Sequence, residues 1–422
     1  MNDVFLVGPA LTKSGYGAHF KDIFLGLEQF DCVSLYLNFI RWGHCAYIDS
    51  GEYKDKLLRY AFKAAEFTKR VPLTYPDLTV HLTVPPEFHR IPNTKYVGVT
   101  AGIEADGIHP DWIAKINDNC DHLVVPSTFV RDVMKSANYE YRNKFTGESG
   151  VATVTAPITV IPESVDIGIY NPQVECKLDL NFETDFNFLC VGQWGMNGGM
   201  GEERKNISSL IKWFKEAFKD NKNVGLVLKT NMINNSLLDG YTTSESIENI
   251  IRSFKLGSTP KIYLIHDYLS EEQIAQLYRH PKIKAYISLS HGESWGRPLI
   301  EAAACGLPVM TVGWGGQSDF MDLGKYIKFE HTMTEVPKHH IGNLFYNGVK
   351  WASPIEEDVK KKMRRIVENY SIPKEWAMSL SNKIIEKFNI ISVSNMWRDF
   401  YINNGLIDLS KKDKLMETIQ ID

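Results

Sequence analysis

Several things are scarce in this chain, and each scarcity narrows what it can be. No apolar run approaches the roughly 20 residues that a bilayer-spanning helix needs, so a membrane role would be peripheral. The six cysteines (Cys32, Cys45, Cys120, Cys176, Cys190 and Cys305) are scattered, with no Cys-x-x-Cys pair. That argues against a zinc ribbon or a disulfide framework and for a reducing compartment. Positive charge is not in excess: 47 Lys and Arg against 51 Asp and Glu leave a net charge of −4. A global basic footprint for nucleic acid or an anionic membrane is therefore missing. The stretch from Met1 to Gly8 lacks a basic flank and a long apolar core. It reads as a first strand rather than a signal peptide, and a cytoplasmic location is expected, free or peripheral to a membrane. No internal repeat is visible.

What is present is ordinary for a folded α/β protein of two or more domains: 422 residues, 44% apolar and 23% charged. Apolar runs at 4–7, 78–82, 96–99, 122–125 and 159–161 read as strands, with helical patterns at 16–27, 53–68, 109–114 and 129–136 between them. Strands alternating with helices imply a parallel sheet. Residues 137–156 are polar without a clear period and read as an irregular insertion. The pattern restarts with strands at 188–191, 224–229, 262–265, 284–289 and 309–311, and helices at 207–218, 270–278 and 355–369. Two doubly wound domains follow, 1–165 and 166–393, joined through a Pro-bearing polar stretch at 162–180. A last helix, about 394–422 with its charged tail, is assigned back to the first domain.

The densest signal lies at 288–316. Glu293 falls in a glycine-flanked loop and Glu301 inside a short helix. Pro298 suits the first helical turn and Gly306 the position just past the end. A loop entering such a helix offers free N–H groups and a partial positive charge to a phosphate. Two carboxylates beside an anion site suit sugar or ribose hydroxyls.

These residues resemble the signature of family 4 glycosyltransferases, retaining enzymes of the GT-B fold. Their motif runs Glu-Gly-Phe-Gly-x-Pro-x-x-Glu-Ala-x-Ala-x-Gly-x-Pro-Val. Here it stands as Glu293-Ser294-Trp295-Gly296-Arg297-Pro298 and Glu301-Ala302-x-Ala304-x-Gly306-x-Pro308-Val309, with Ser294 in place of Gly. The resemblance implies two Rossmann-like domains facing across a cleft, with the nucleotide sugar on the second. It implies that Glu301 holds ribose hydroxyls and Glu293 the donor sugar. Gly292, Ser294, Trp295 and Gly296 would frame the donor, and the N–H groups of Leu299 and Ile300 would face its diphosphate. Residues Trp351 to Pro354 match a later Trp-Ala-x-Pro of one subgroup.

Further residues follow from the same resemblance. Ser14-Gly15-Tyr16-Gly17 matches the first loop, which places Gly15 and Gly17 near the diphosphate. Two cations usually grip that diphosphate; Lys205 matches one, while Gln193 stands where the other is expected and Arg204 is the candidate replacement. Cations at a helix start are unfavourable unless an anion is near, which supports a role for Lys205. Glu104 and Asp106 fall on the acceptor side. His109 is a candidate catalytic contact to the donor sugar, or equally a cap before Pro110. Tyr268 borders the expected nucleobase position, where it stacks on the base or is simply a core or surface aromatic. Ser127 reads as a helix cap, and Ser164 as a hinge residue where relatives carry Gly. Gly315 and Gly316 match a supporting loop.

The expected activity is transfer of a sugar from a nucleotide sugar to a hydroxyl, on a glycan or lipid-linked acceptor, without metal or cofactor. One alternative is glycosylation of hydroxylated DNA bases, and another is a degenerate nucleotide-sugar-binding protein. Phosphorylase chemistry would need a pyridoxal lysine, and none is suitably placed around residue 316. The basic run Lys360–Arg365 is a solvated helix face, or an edge for anionic lipid or DNA.

Overall fold

The computed structural model describes residues 1–43, 45–48, 51–69, 75–142, 147–195, 199–342 and 344–411. The first half runs β1 (Asn2–Gly8), α1 (Gly15–Leu27), β2 (Val33–Phe39), α2 (Glu52–Thr68), β3 (Leu78–Leu82), β4 (Lys95–Val99), α3 (Pro110–Asn119), β5 (His122–Val125), α4 (Thr128–Ser136), β6 (Asn138–Arg142), β7 (Ser149–Thr153) and β8 (Ile158–Val160). Six of these strands form one parallel sheet in the order β2-β1-β3-β4-β5-β8. Their Val, Leu and Ile side chains point into helices on both faces, as a parallel sheet requires.

The described part of the segment expected to be irregular, 137–156, carries two strands. β6 and β7 pair antiparallel, with Tyr139 opposite Ala152. Only those two side chains turn toward the core, while Glu140, Tyr141 and Val151 stay exposed. Such a shallow face leaves too weak an alternation to read from the residues.

The second half runs β9 (Phe186–Val191), α5 (Ile207–Ala217), β10 (Val224–Lys229), α6 (Leu237–Ser253), β11 (Lys261–Ile265), α7 (Glu271–Arg279), β12 (Ile283–Ile287), α8 (Arg297–Ala304), β13 (Val309–Val312), α9 (Ser318–Met321), β14 (Ile327–Phe329), β15 (His331–Glu335), β16 (Lys350–Pro354), α10 (Glu356–Glu368), α11 (Ser371–Lys387) and α12 (Ile390–Asn403). Its sheet is again parallel, ordered β11-β10-β9-β12-β13-β14, with β15 and β16 as a separate antiparallel ribbon. The expected helix at 270–278 begins on a capping box formed by Ser270 and Gln273. Helix α6 was not anticipated: its first turns carry exposed Leu237, Leu238 and Tyr241, which blur the apolar period.

Helix α11 packs on α8, and α12 then crosses to α1. Gly26 permits this contact, because a Cβ there would lie 2.4 Å from Trp397 Cβ. Trp397 and Tyr401 are buried in the first domain's core. The crossing helix starts at Ile390 rather than 394, and the tail at 412–422 lies outside the described residues. Among the described residues no helix is long and apolar enough to cross a membrane.

Candidate active site

Strand β12 ends in the loop His291–Gly296, which turns into α8. Gly296 makes that turn at φ 96°, in the left-handed region open to glycine. The loop is pressed against the first domain. A Cβ on Gly292 would sit 2.1 Å from the Glu104 carbonyl oxygen, and one on Gly316 would sit 1.8 Å from the Ser294 carbonyl oxygen. The Gly316 N–H donates to the Glu293 carbonyl at 2.7 Å, so the Gly-Gly loop anchors Glu293 from below.

The Glu293 carboxylate is buried among cations. Lys205 Nζ lies 2.5 Å from its Oε1, and Arg204 Nη1 lies 3.3 Å from its Oε2. Arg204 also donates to the Gly292 carbonyl at 3.1 Å and reaches Glu104 Oε2 through Nε at 2.8 Å. Burial pushes the Glu293 carboxyl up, but Lys205 and Arg204 outweigh it and hold the group at about 2. Glu104 moves the other way: its burial exceeds the pull of Arg204 and raises it. Lys205, Arg204, Glu293 and Glu104 thus form one half-buried ionic cluster at the domain junction.

Glu301 belongs to a second cluster. Its Oε1 lies 3.6 Å from Arg297 Nε, and Tyr278 donates to its Oε2 at 3.3 Å. Burial raises Glu301 to about 7, against the opposing pull of Arg297. Arg297 Nη1 also approaches Glu163 Oε2 at 3.4 Å and donates to the Ser164 carbonyl at 3.2 Å. Burial likewise lifts Glu163 to about 7. The Ser164 N–H donates to Asp22 at 2.9 Å, and its hydroxyl bonds the same carboxylate. His19, fully buried beside Glu163 at 3.8 Å, is pushed down to about 3 by burial and Arg297. Residues from α1, the hinge and α8 therefore meet around one guanidinium. Arg297 was not singled out from sequence, although a charge at a buried helix start was a readable signal.

Several expected contacts are corrected. Leu299 and Ile300 both donate their N–H to the Gly296 carbonyl, at 3.0 and 3.2 Å, so neither is free for a diphosphate. Trp295, expected to frame the donor, lies with its ring buried in the second domain's core against Phe320 and Phe388, at 5.0 and 5.4 Å. Ser294 ties the domains together: its hydroxyl donates to the Ile103 carbonyl at 2.6 Å, and its own carbonyl accepts from Ser127 at 2.7 Å. Asp106 is engaged with Lys350, donating to its carbonyl at 2.8 Å and accepting its N–H at 2.6 Å. His109 caps α3, its Nδ1 accepting from the Asp111 N–H at 3.2 Å, and its ring meets the edge of Tyr346. It is not part of either cluster.

The first loop divides. Ser14 caps α1 by accepting from the Gly17 N–H at 3.1 Å, and Gly17 is glycine because a Cβ would strike the Thr12 carbonyl at 2.0 Å. Gly15 faces the second domain, where a Cβ would lie 3.6 Å from Arg297 Cδ. Tyr268 is 46% exposed, with Lys13 Nζ 3.8 Å above its ring. Gln193, where the other cation is expected, donates its side-chain amide to the Met232 and Ile233 carbonyls, each at 3.2 Å. The basic run is partly neutralised, since Lys360 contacts Glu216 and Glu356, and Lys362 lies 2.8 Å from Asp358.

Residues 198–377 match the family model described as glycosyl transferases group 1. A probable sucrose-phosphate synthase of Thermosipho melanesiensis is 26% identical over 238 residues, covering 56% of this chain and 48% of the relative. A sucrose synthase of Denitrovibrio acetiphilus is 26% identical over 125 residues, 29% of this chain and 16% of the relative. The chain thus spans about half, or less, of the length of these curated relatives. Among solved structures, sucrose-phosphate synthase of Thermosynechococcus elongatus superposes with a TM-score of 0.61 at 15% identity, over 96% of this chain and 99% of the other. Anabaena HepE in complex with UDP and glucose superposes with a TM-score of 0.58 at 14% identity, over 96% and 100%. Over 96% of its length the chain has the GT-B fold of these structures, and its residues 198–377 match the group 1 glycosyl transferase model.

Proposed function

We propose that the chain is a family 4 glycosyltransferase that moves a sugar from a nucleotide sugar to a hydroxyl acceptor and retains the anomeric configuration. The observation that carries this reading is the placement of Lys205 and Arg204 on Glu293, at the mouth of the helix that bears Glu301. With donor bound, Glu301 accepts hydrogen bonds from the ribose hydroxyls, and Glu293 accepts them from the sugar. Lys205 and Arg204 meet the charge that builds on the diphosphate as the bond from its oxygen to the sugar's anomeric carbon breaks. The acceptor oxygen bonds to that carbon on the same face, and its proton passes to the departing diphosphate. No metal or cofactor is assigned a part.

The acceptor proposed is a glycan or a lipid-linked intermediate, and the reaction is placed in the cytoplasm. A DNA acceptor is less well supported, because acidic neighbours offset Lys360 and Lys362. UDP-sugars are the first donors to try, since HepE has been solved with UDP and with UDP-glucose.

The test is a thermal-shift panel of UDP-, GDP-, ADP- and TDP-sugars. A ligand that binds only the folded state raises Tm by mass action. One responding nucleotide is expected; a panel without any response overturns the donor reading. NMR of the product's anomeric proton then checks retention.

A further inference from the structure

The loop that delivers Arg204 and Lys205 is held from behind by two imidazoles. His291, just before Gly292 and Glu293, donates its main-chain N–H to the Arg204 carbonyl at 2.8 Å, and its carbonyl accepts from the Ala352 N–H at 3.0 Å. Its ring lies between the same two segments. Nε2 is 2.9 Å from the Gly201 carbonyl oxygen, and Nδ1 is 2.8 Å from the Ala352 carbonyl oxygen. The ring rests flat on Trp351, with centroids 4.4 Å apart and planes 7° from parallel. His340, in the turn Lys338–His340, places Nε2 2.7 Å from the Glu202 carbonyl oxygen and meets the same indole at 5.5 Å. Two consecutive carbonyls, Gly201 and Glu202, are thus each met by an imidazole nitrogen shortly before the cations.

A carbonyl oxygen only accepts, and a neutral imidazole has one N–H. A neutral His291 can hold Gly201 or Ala352, not both. Its other nitrogen then turns a lone pair toward an oxygen, with the Ser353 hydroxyl, 3.3 Å from Nδ1, able to donate there in place of the lost bond. An imidazolium holds both carbonyls, and the indole face beneath it favours the positive charge.

We infer that His291 is a positioning residue that locks the loop carrying Arg204 and Lys205: fully when its ring bears both protons, and through a single contact when it bears one. The consequence for sugar transfer rests on the donor-site reading above; the lock itself does not. The charged groups facing the ring are Arg204 on the loop and His340 on the turn, with Glu202 and Glu203 acting on His340. Burial pushes the His291 proton off, the two carbonyls pull it back, and His340 and Arg204 add to the push, leaving the group below the ordinary histidine value. The full lock is therefore the acid-side state, and it loosens as pH rises through that lowered point.

The test is NMR of the full chain with no nucleotide present, labelled with 15N in histidine and in the backbone. His291 is assigned in the wild type by through-bond correlation of its ring with its own backbone amide, with a 13C label added. The expected result is an imidazolium signature for His291 in acid. The Gly201 and Glu202 amides should move with its titration, and that movement should be lost in His291→Gln. The inference is overturned if the wild-type ring stays neutral over the whole pH range in which the protein is folded. It is equally overturned if the Gly201 amide titrates unchanged in His291→Gln. The first of these needs no variant, so a poorly folding His291→Gln does not shield the idea. Because no nucleotide is present, the result is also separate from the thermal-shift panel that judges the donor reading.

Discussion

Arg204 stands between two carboxylates from different domains, its Nε 2.8 Å from Glu104 and its Nη1 3.3 Å from Glu293. Few side chains can do this, because a guanidinium offers donors on several sides of one plane. Arg204→Ala should lower kcat by about 10²-fold or more, the scale seen when a preorganised charge at a leaving group is lost. Arg204→Lys should rescue little, since one ammonium cannot fork two acids. Steady-state kinetics decides, and an unchanged kcat in Arg204→Lys would count against the bridging role.

Glu293→Gln separates the two carboxylates of the motif. It keeps the shape but removes the charge that Lys205 and Arg204 neutralise. Transfer should fall steeply while free nucleoside diphosphate still binds. Calorimetry beside an activity assay tests this; equal losses in both would mean that Glu293 serves the fold rather than the sugar.

Glu301→Ala should act on binding instead. Charge-assisted bonds to ribose hydroxyls contribute about 1.5–3 kcal/mol, so affinity for nucleotide should drop by roughly tenfold or more. Undiminished affinity removes Glu301 from the ribose.

Trp295→Ala addresses a residue that the motif assigned to the donor and the fold assigns to the core. Truncating so large a buried ring should cost about 3–5 kcal/mol of stability. The folded fraction should bind nucleotide as the wild type does. A denaturant midpoint left in place would contradict the packing against Phe320 and Phe388.

Glu163 and Glu301 make stability depend on pH in a definite direction. Burial lifts both to about 7, so the folded protein holds their protons more tightly than the unfolded chain. Such groups favour folding below the ordinary carboxylate range, and that contribution is lost as pH rises through about 7. Glu163→Gln, which cannot ionise, should therefore lose less Tm than the wild type between about pH 5 and 8. Parallel Tm curves would show that Arg297 already keeps Glu163 ionised.

Much of this molecule is written in short-range pattern. The parallel strands at 4–7, 96–99, 188–191 and 224–229 could be read because buried strands are short, mostly apolar runs bounded by polar loops. The helix at 297–304 announced itself through Pro298 and Gly306, and the Glu293–Glu301 spacing pointed to the carboxylates. Local chemistry also sets Ser14, Ser127 and Ser270 as caps, since each serves a backbone N–H three residues away.

The rest depends on groups distant in sequence arriving at one point, and no local spacing encodes that. His109 suits a ligand or a cap by residue type alone, and the cap depends on the Asp111 N–H meeting its ring nitrogen. Ser294 and Asp106 suited a ligand by residue type, yet their partners are Ile103 and Lys350, across the domain junction. Trp295 follows the motif's spacing, but its ring enters the core because α11 ends with Phe388 against it. Gln193 stands where the motif expects a cation. Folding brings Arg204 to Glu293 and Arg297 to Glu301, through loops whose path is set by glycines that tolerate no Cβ. Residue types and their periods decide which segments become strands and helices. Which charges end as neighbours is decided by how two domains close on each other, because an ion pair depends on distance in space and not along the chain.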